Sequence, residues 1–440
     1  MNPFPEHTLR KELAEEVHAR PYGLVRPPIR VSHLVVLSGE GQTAADHRHI
    51  TSLCASFGAP GPDTGATHHS GVLESGSGSE LRFKWERHTE FSSITFYADG
   101  AFKDPFADPV IGRIPADWMS NLPGQVLSAT HLVLESEDMP ERDFASLASL
   151  FANNTVTGSG MRGGQALVWT DFRVHEDGFN RILVRNNGMN QRQAGRLVQR
   201  LLEVGTYRMM AMLSFPLARD LFPKVAEAER TLRDLINGMA ENDGSEDERQ
   251  TLKTLTTLAA RIEGLSLDVN YRFTASSAYH ALVTRRIKEL REVRIEDISQ
   301  VRGLQPPGEF VIRRLAPAMD TCRAAAERIT TLSERIGRAS ALLRTRVDVA
   351  LEEQNRDLLE SMDRRARTQL RLQETVEGLS VVAISYYLLG MVNYAAKSVK
   401  AAGLPINSDM VTGLSLPIVI GVIWFGIRRL RRALAAPKDD

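Results

Sequence analysis

Two apolar segments late in the chain constrain its fold more than any other feature. Val376–Ala396 reads VEGLSVVAISYYLLGMVNYAA with Glu377 as its only charge, and Met410–Ile427 reads MVTGLSLPIVIGVIWFGI with none. A helix that crosses a bilayer needs about 20 mainly apolar residues. The second segment is apolar on every face, which a surface helix packed on one side has no need to be. Transmembrane helices are therefore expected over 376–396 and 410–427, with a loop over 397–409 and a basic tail over 428–440. Arg364, Arg365, Arg367 and Arg371 precede the first span, and Arg428, Arg429, Arg431 and Arg432 follow the second. The loop's cations are Lys397 and Lys400. The positive-inside rule then predicts a multi-pass protein of the inner (plasma) membrane, with both termini cytoplasmic, the short loop outside and the lipid bilayer as its first partner. The first 20 residues include Glu6, Glu12, Glu15 and Glu16 and no apolar run, unlike a secretory signal.

The rest of the chain reads as a large cytosolic part. The chain's 440 residues exceed what one core usually organises. Lys and Arg number 54 against 54 for Asp and Glu, so no overall positive field draws it to nucleic acid. Cys54 and Cys322 are the only cysteines, which excludes a disulfide scaffold and a four-cysteine zinc site. Over 1–190, short β-branched or aromatic stretches alternate with helical ones. Strands are expected at Ile29–Leu37, Leu81–Glu86, Ser92–Tyr97, Ala129–Leu134 and Ala166–Thr170, and helices near Leu9–Val17, Thr43–Phe57 and Arg142–Phe151. Gly58–Ser79, rich in Gly, Ser and Pro, reads as a mobile surface loop. This predicts an α+β or α/β domain with a mixed sheet.

A helical region follows over 191–312, with an acidic turn at Glu241–Glu248 and separate helices near Arg249–Leu265 and Thr274–Val293. Between Pro317 and Pro405 there is no proline. Apolar residues recur there mostly every three, four or seven positions, from Leu315 and Met319 through Ile329, Ile336 and Leu343 to Ala350. That seam predicts a long stalk helix over 313–375, of coiled-coil character, running on into the first span. About 75 residues at 1.5 Å each give roughly 110 Å, more than one globular core requires.

Several side-chain groups bear on function. Ser380 and Tyr387 are seven apart and share a helix face, which suits either a pore lining or packing against the second span. Asn393 and Tyr394 lie at a membrane boundary, where Asn393 either contacts a hydrated ion or caps the span and Tyr394 joins an interfacial aromatic belt. His18 and Arg20 close the first helix, where cations favour its negative end. Trp85, Arg87 and His88 form either a cytosolic recognition surface or one strand of an alternating pair. His47 and His49 face different ways on a helix, and His68 and His69 lie near Asp63 in the loop, so no metal site is assigned. Gly158–Ser–Gly160–Met–Arg–Gly163 matches a dinucleotide pattern, yet strand-like residues follow it and a hairpin turn fits better. Phosphate-loop, nucleophile-elbow, His-Glu-x-x-His and Cys-x-x-Cys signatures are lacking, so an enzyme is not expected and no cofactor is assigned.

A cytosolic domain, a stalk continuous with the first span, a short outer loop, a second span and a basic tail together resemble the CorA-type divalent-cation channels. In that family a Gly-Met-Asn signature ends the first span and its asparagines ring the outer mouth of a homopentamer. The matching residues here are Gly390, Met391 and Asn393, with Val392 inserted before the asparagine, and Arg428, Arg429, Arg431 and Arg432 resemble the family's basic collar. The resemblance implies a homo-oligomer, a pentamer if a channel, with a divalent cation transported or sensed.

A second resemblance spans nearly the whole chain. His18-Ala-Arg20-Pro21, Pro27 to His33, Trp85 to Phe91, Tyr271 to Ser276 and Tyr386 to Gly390 look like a bacterial family of uncharacterised membrane-anchored proteins. It implies no activity. The expected function is a CorA-like ion channel, with a non-transporting, membrane-anchored binding or regulatory module as the alternative.

Overall fold

A computed structural model describes residues 4–11, 13–14, 22–74, 80–241, 245–294, 302–402 and 407–434, the side chains of 240, 241, 245–247 and 430–434 excepted. His18 and Arg20 lie outside these residues. The chain divides into two compact units, Met1–Asn242 with Lys253–Ser340, and Asp243–Leu252 with Ala341–Asp440.

The first unit is built on an eight-stranded sheet. In chain order its strands are β1 (Ile29–Leu37), β2 (His68–Glu74), β3 (Leu81–Arg87), β4 (Phe91–Asp99), β5 (Gln125–Glu135), β6 (Thr157–Met161), β7 (Ala166–Thr170) and β8 (Asn180–Asn186). They lie in the order β2-β3-β4-β1-β5-β8-β7-β6. The β5–β8 pair is parallel and the other neighbours are antiparallel, so the sheet is mixed, as expected. The helices α1 (Thr43–Ser56) and α2 (Ala116–Ser120) lie between these strands in sequence, as does α3 (Phe144–Leu150).

Both sheet faces bury apolar residues, and one of them carries a large core cluster. Leu34 and Val36 of β1, Phe83 and Trp85 of β3, and Ile94 and Phe96 of β4 cluster with Ile50 and Leu53 of α1 and Trp118 of α2. Each pair along a strand is two residues apart, as the alternation of side chains requires. Against expectation, residues 68–74 of the supposed loop form β2, pairing His69 with Trp85 and Gly71 with Phe83. An edge strand needs few apolar side chains, and most of HHSGVLE remains accessible, so no hydrophobic pattern marks it. The glycine-rich run at 158–163 supplies β6 and its hairpin turn to β7. A Cβ on Gly158 would come within 2.8 Å of the Trp169 ring, so close packing demands glycine there.

The helical region starts at α4 (Gln191–Met212), opened by a capping box in which Asn190 accepts from the Gln193 amide and the Gln193 side chain accepts from Asn190. Then come α5 (Ser214–Glu241), α6 (Ser245–Leu290), α7 (Pro307–Ala401) and α8 (Ser408–Leu434). The two helices expected over 249–293 are one, because nothing between Leu265 and Thr274 breaks the backbone pattern. The seam of α7 is buried at Leu315, Met319, Cys322, Ile329, Leu332 and Ile336. It serves the chain's own helices: Arg328 pairs with Glu229 of α5, and the Ser214 hydroxyl lies 3.2 Å from the Cys322 sulfur. As far as Ile336 this apolar stripe is therefore covered within one chain. Within the second unit, Arg346 of α7 pairs with Glu248 at 3.1 Å. Beyond it Leu358, Leu359, Met362 and Leu370 are exposed on α7.

Candidate functional site

Two helices, α7 over its last turns and α8, are long and apolar enough to cross a membrane. Each covers one narrow stripe. On α7 it holds Val381, Ser385, Leu389, Asn393 and Ala396, and on α8 Ser408, Thr412, Ser415, Val419 and Ile423. The spacings of three and four place each set on one face. Their small and hydroxylated members suit the close helix packing used where no hydrophobic drive exists between helices. Most of the large apolar side chains face outward, including Leu379, Val382, Leu414, Ile418 and Val422.

The candidate pore residues separate on this geometry. The helix does not unwind at Gly390, so Val392 turns Asn393 by about 200° from Met391. Asn393 joins the covered stripe and its Oδ1 is buried with no hydrogen-bond partner among the described residues, as is Ser385 Oγ. Met391 and Tyr394 are exposed. The expectation that Asn393 caps the end of the span is corrected, because the helix continues past it to Ala401. At Gly390 the space a Cβ would take is open. Ser380 is exposed and donates to the Val376 carbonyl at 2.9 Å. Tyr387 is 73% exposed, so packing of this face against the second span is corrected. Tyr386, 75% exposed, meets Tyr387 edge-on with ring centres 5.9 Å apart. Of the basic collar, Arg428 lies over the Trp424 ring at 5.0 Å and Arg429 is exposed, while the side chains of Arg431 and Arg432 are outside the described set.

In the sheet unit, Trp85 and Arg87 are not on the surface. Both project from β3 into the core face, Trp85 fully buried with its Nε1 donating to Ser92 Oγ at 3.1 Å. Arg87 is buried on Asp46 of α1, Nε to Oδ2 3.1 Å, and donates to the Gly39 and Thr89 carbonyls. A buried cation needs such partners. Burial pushes the Asp46 carboxyl up, against the pull of Ser38, Ser92 and Arg87. His88 is partly exposed and stacks on Phe91 at 4.2 Å.

Beside it, on the opposite sheet face, lies a small polar cavity of about 180 Å³ lined by His33, Lys84, Glu86, His88, Thr95 and Arg286, among others. Lys84 and Glu86 pair at 2.9 Å, and Arg286 pairs with Glu203 of α4. His33 bridges Thr95 Oγ1 at 2.8 Å and Thr206 Oγ1 at 3.1 Å. Burial, aided by Lys84, lowers its pKa to about 4, so it is neutral at pH 7. Neutral imidazole held between two hydroxyls fixes α4 to the sheet; it has no carboxylate orienting it toward a nucleophile. Burial pushes both thiols, Cys54 and Cys322, upward and away from thiolate reactivity. No group of three or more His, Cys, Asp or Glu that could hold a metal gathers among the described residues.

Sequence reasoning missed Glu90. It is buried, receives two bonds from the Arg272 guanidinium at 3.1 and 2.5 Å, and accepts from the Tyr279 hydroxyl at 3.0 Å. Burial first, then Glu90, pushes the Tyr279 phenol up. The two quoted segments Trp85–Phe91 and Tyr271–Ser276 thus meet through this pair.

Residues 5–434 match the model of a family described as "Protein of unknown function (DUF3422)". The chain belongs to that family. The match bears out the resemblance to an uncharacterised family, and the Glu90–Arg272 pair ties two of the segments that carried it. No match was found among curated proteins. Among solved structures the chain is similar to "structure of the full-length CmaX protein" at 13% identity, covering 81% of this chain and 100% of that one, with a TM-score of 0.21. A score of that size carries no statement about fold or function. CorA-like architecture is therefore carried only by the sequence resemblance.

Proposed function

We propose that this family member is a homo-oligomeric ion channel of CorA-like organisation, with the α7–α8 hairpins of several copies enclosing a path for a divalent cation. Both termini lie in the cytoplasm, and the sheet unit, joined to the span by α7, biases the state of the pore. The observation that supports this reading is the pair Tyr386 and Tyr387. Both sit midway along 376–396, about 15 Å from either end, and a phenol reaches only about 6 Å from its Cα, so neither hydroxyl reaches an interface. Neither has a hydrogen-bond partner among the described residues. Facing hydrocarbon, each would cost about 2–7 kcal/mol. A neighbouring copy or a water-filled path satisfies them, and one hairpin cannot enclose such a path.

The anchored, non-transporting module is the second reading. Lys397 and Lys400, both exposed just past the span, and the broken Gly-Met-Asn order favour it. Divalent-cation flux into proteoliposomes separates the two. The channel reading expects flux in the parent, reduced at least tenfold in a Tyr386→Phe/Tyr387→Phe variant. Absence of flux in a parent protein verified as inserted leaves the anchored module.

A further inference from the structure

A cavity of about 550 Å³ opens in the sheet unit among β5, the segment 172–180, α4 and the first turns of α7. Its walls are mostly apolar, with Val174, Met209, Met212 and Val311 among them, yet two arginines line it and no carboxylate does. Their guanidiniums cap a stack of rings. Arg208 Cζ lies 4.8 Å over Phe172, Phe172 and Phe310 stack at 4.9 Å with 3° between planes, and Arg314 Cζ lies 4.7 Å over Phe310.

Arg208 has no ion pair or hydrogen bond among the described residues, and its Nε is buried without a partner. The Oδ1 of Asn180, also in the lining, is buried and unpartnered. Phe172 holds a φ of +56°, a conformation bulky residues rarely adopt and one that clusters at ligand sites. Burial lowers the Arg208 pKa to about 10 with no carboxylate to oppose it, so the group remains a cation at neutral pH. In the same unit the buried Arg87, by contrast, has Asp46. A desolvated, pre-oriented cation at an otherwise apolar cavity lacks only its counter-charge.

We propose that this cavity binds a small organic carboxylate with a hydrocarbon body, the carboxylate on the Arg208 guanidinium and the body against Met209, Met212 and Val311. The planar guanidinium matches a carboxylate in a two-bond pair. A phosphate would bring a second charge into walls that are mostly apolar. The volume falls within the roughly 300–1,000 Å³ of small-ligand sites. The site stands apart from the pore reading, and binding is measured without ion flux, so either can fail alone.

The test is calorimetric titration of the full chain in nanodiscs with octanoate, octanol and inorganic phosphate. Octanoate is expected to bind once per chain, with octanol and phosphate at least tenfold weaker. Arg208→Gln should weaken octanoate at least tenfold while the thermal midpoint holds. Val174→Trp, which fills the cavity mouth from an exposed position and leaves Arg208 in place, should do the same. Octanol binding as tightly as octanoate, phosphate competing equally with it, or octanoate binding unchanged in Arg208→Gln would each overturn the proposal. Should Arg208→Gln not fold, octanoate binding that survives Val174→Trp overturns it alone.

Discussion

Glu90 and Arg272 are separated by 182 positions yet form a two-bond ion pair with the carboxylate almost wholly out of water. Removing one partner strands the other charge, so Arg272→Ala should cost about 3–5 kcal/mol, read as a fall in the thermal midpoint of the sheet unit. Arg272→Ala paired with Glu90→Gln should recover part of that loss. Histidine burial gives a pH prediction of definite sign. His33 and His131 have folded values of about 4, both lowered chiefly by burial, below the unfolded value of about 6.5. The unfolded state therefore binds more protons between those values. Stability is full above pH about 6.5 and is lost as pH falls toward 4, on the order of 3 kcal/mol per histidine. Denaturant titrations at pH 7.5 and 4.5 should show this fall, and His33→Gln should show less of it; an equal fall would remove His33 as a cause. Little of this was legible in sequence. Alternation along Leu81–Arg87 puts Arg87 on the face of Leu81, Phe83 and Trp85, but its partner Asp46 lies on α1, far off in sequence, so its burial could not be read there. Arg208 left one trace, a cation beside Met209 and Met210, which periodicity reads as a solvated position.

Among the elements, β1 and β7 were readable to their ends because each is dominated by β-branched and apolar residues, with Arg30, Ser32 and His33 the polar positions of β1. By contrast β2, β6 and β8 were not expected: HHSGVLE and TGSGM contain glycine and polar residues, and NRILVRN is short and charged at both ends. Their stability comes from partners distant in sequence. The long helix was legible because an absence of proline and a steady apolar period both favour it. What sequence could not decide was who would use that period, and α7 spends it on α5 as far as Ile336. The outward faces of α7 and α8 make a further prediction. Ile418, 64% exposed near the middle of the second span, should not tolerate a charge. Ile418→Arg should disfavour insertion by about 2.5–3.5 kcal/mol, seen as protein released by alkaline carbonate extraction. A variant extracted no more than the parent would mean that α8 does not cross the bilayer.

At the scale of the molecule, a sheet unit and a unit carrying two apolar helices share one uninterrupted helix, α7. The second unit presents Leu358, Leu359, Met362 and Leu370 as well as the outward faces of both apolar helices, far more exposed apolar surface than a soluble monomer tolerates. A bilayer would cover the hairpin faces, but not residues 358–370, which precede the apolar segment by several turns. Copies of the chain associating along α7 would cover them, and the mid-span tyrosines would then face one another or a shared path. The proposed channel therefore requires a ring of several copies. Native mass spectrometry of the full chain in nanodiscs tests it most directly. The proposed channel predicts one closed assembly, about 244 kDa for five chains of 48.8 kDa each. A stable monomer or dimer at that step would contradict the channel, because one or two hairpins cannot wall a pore.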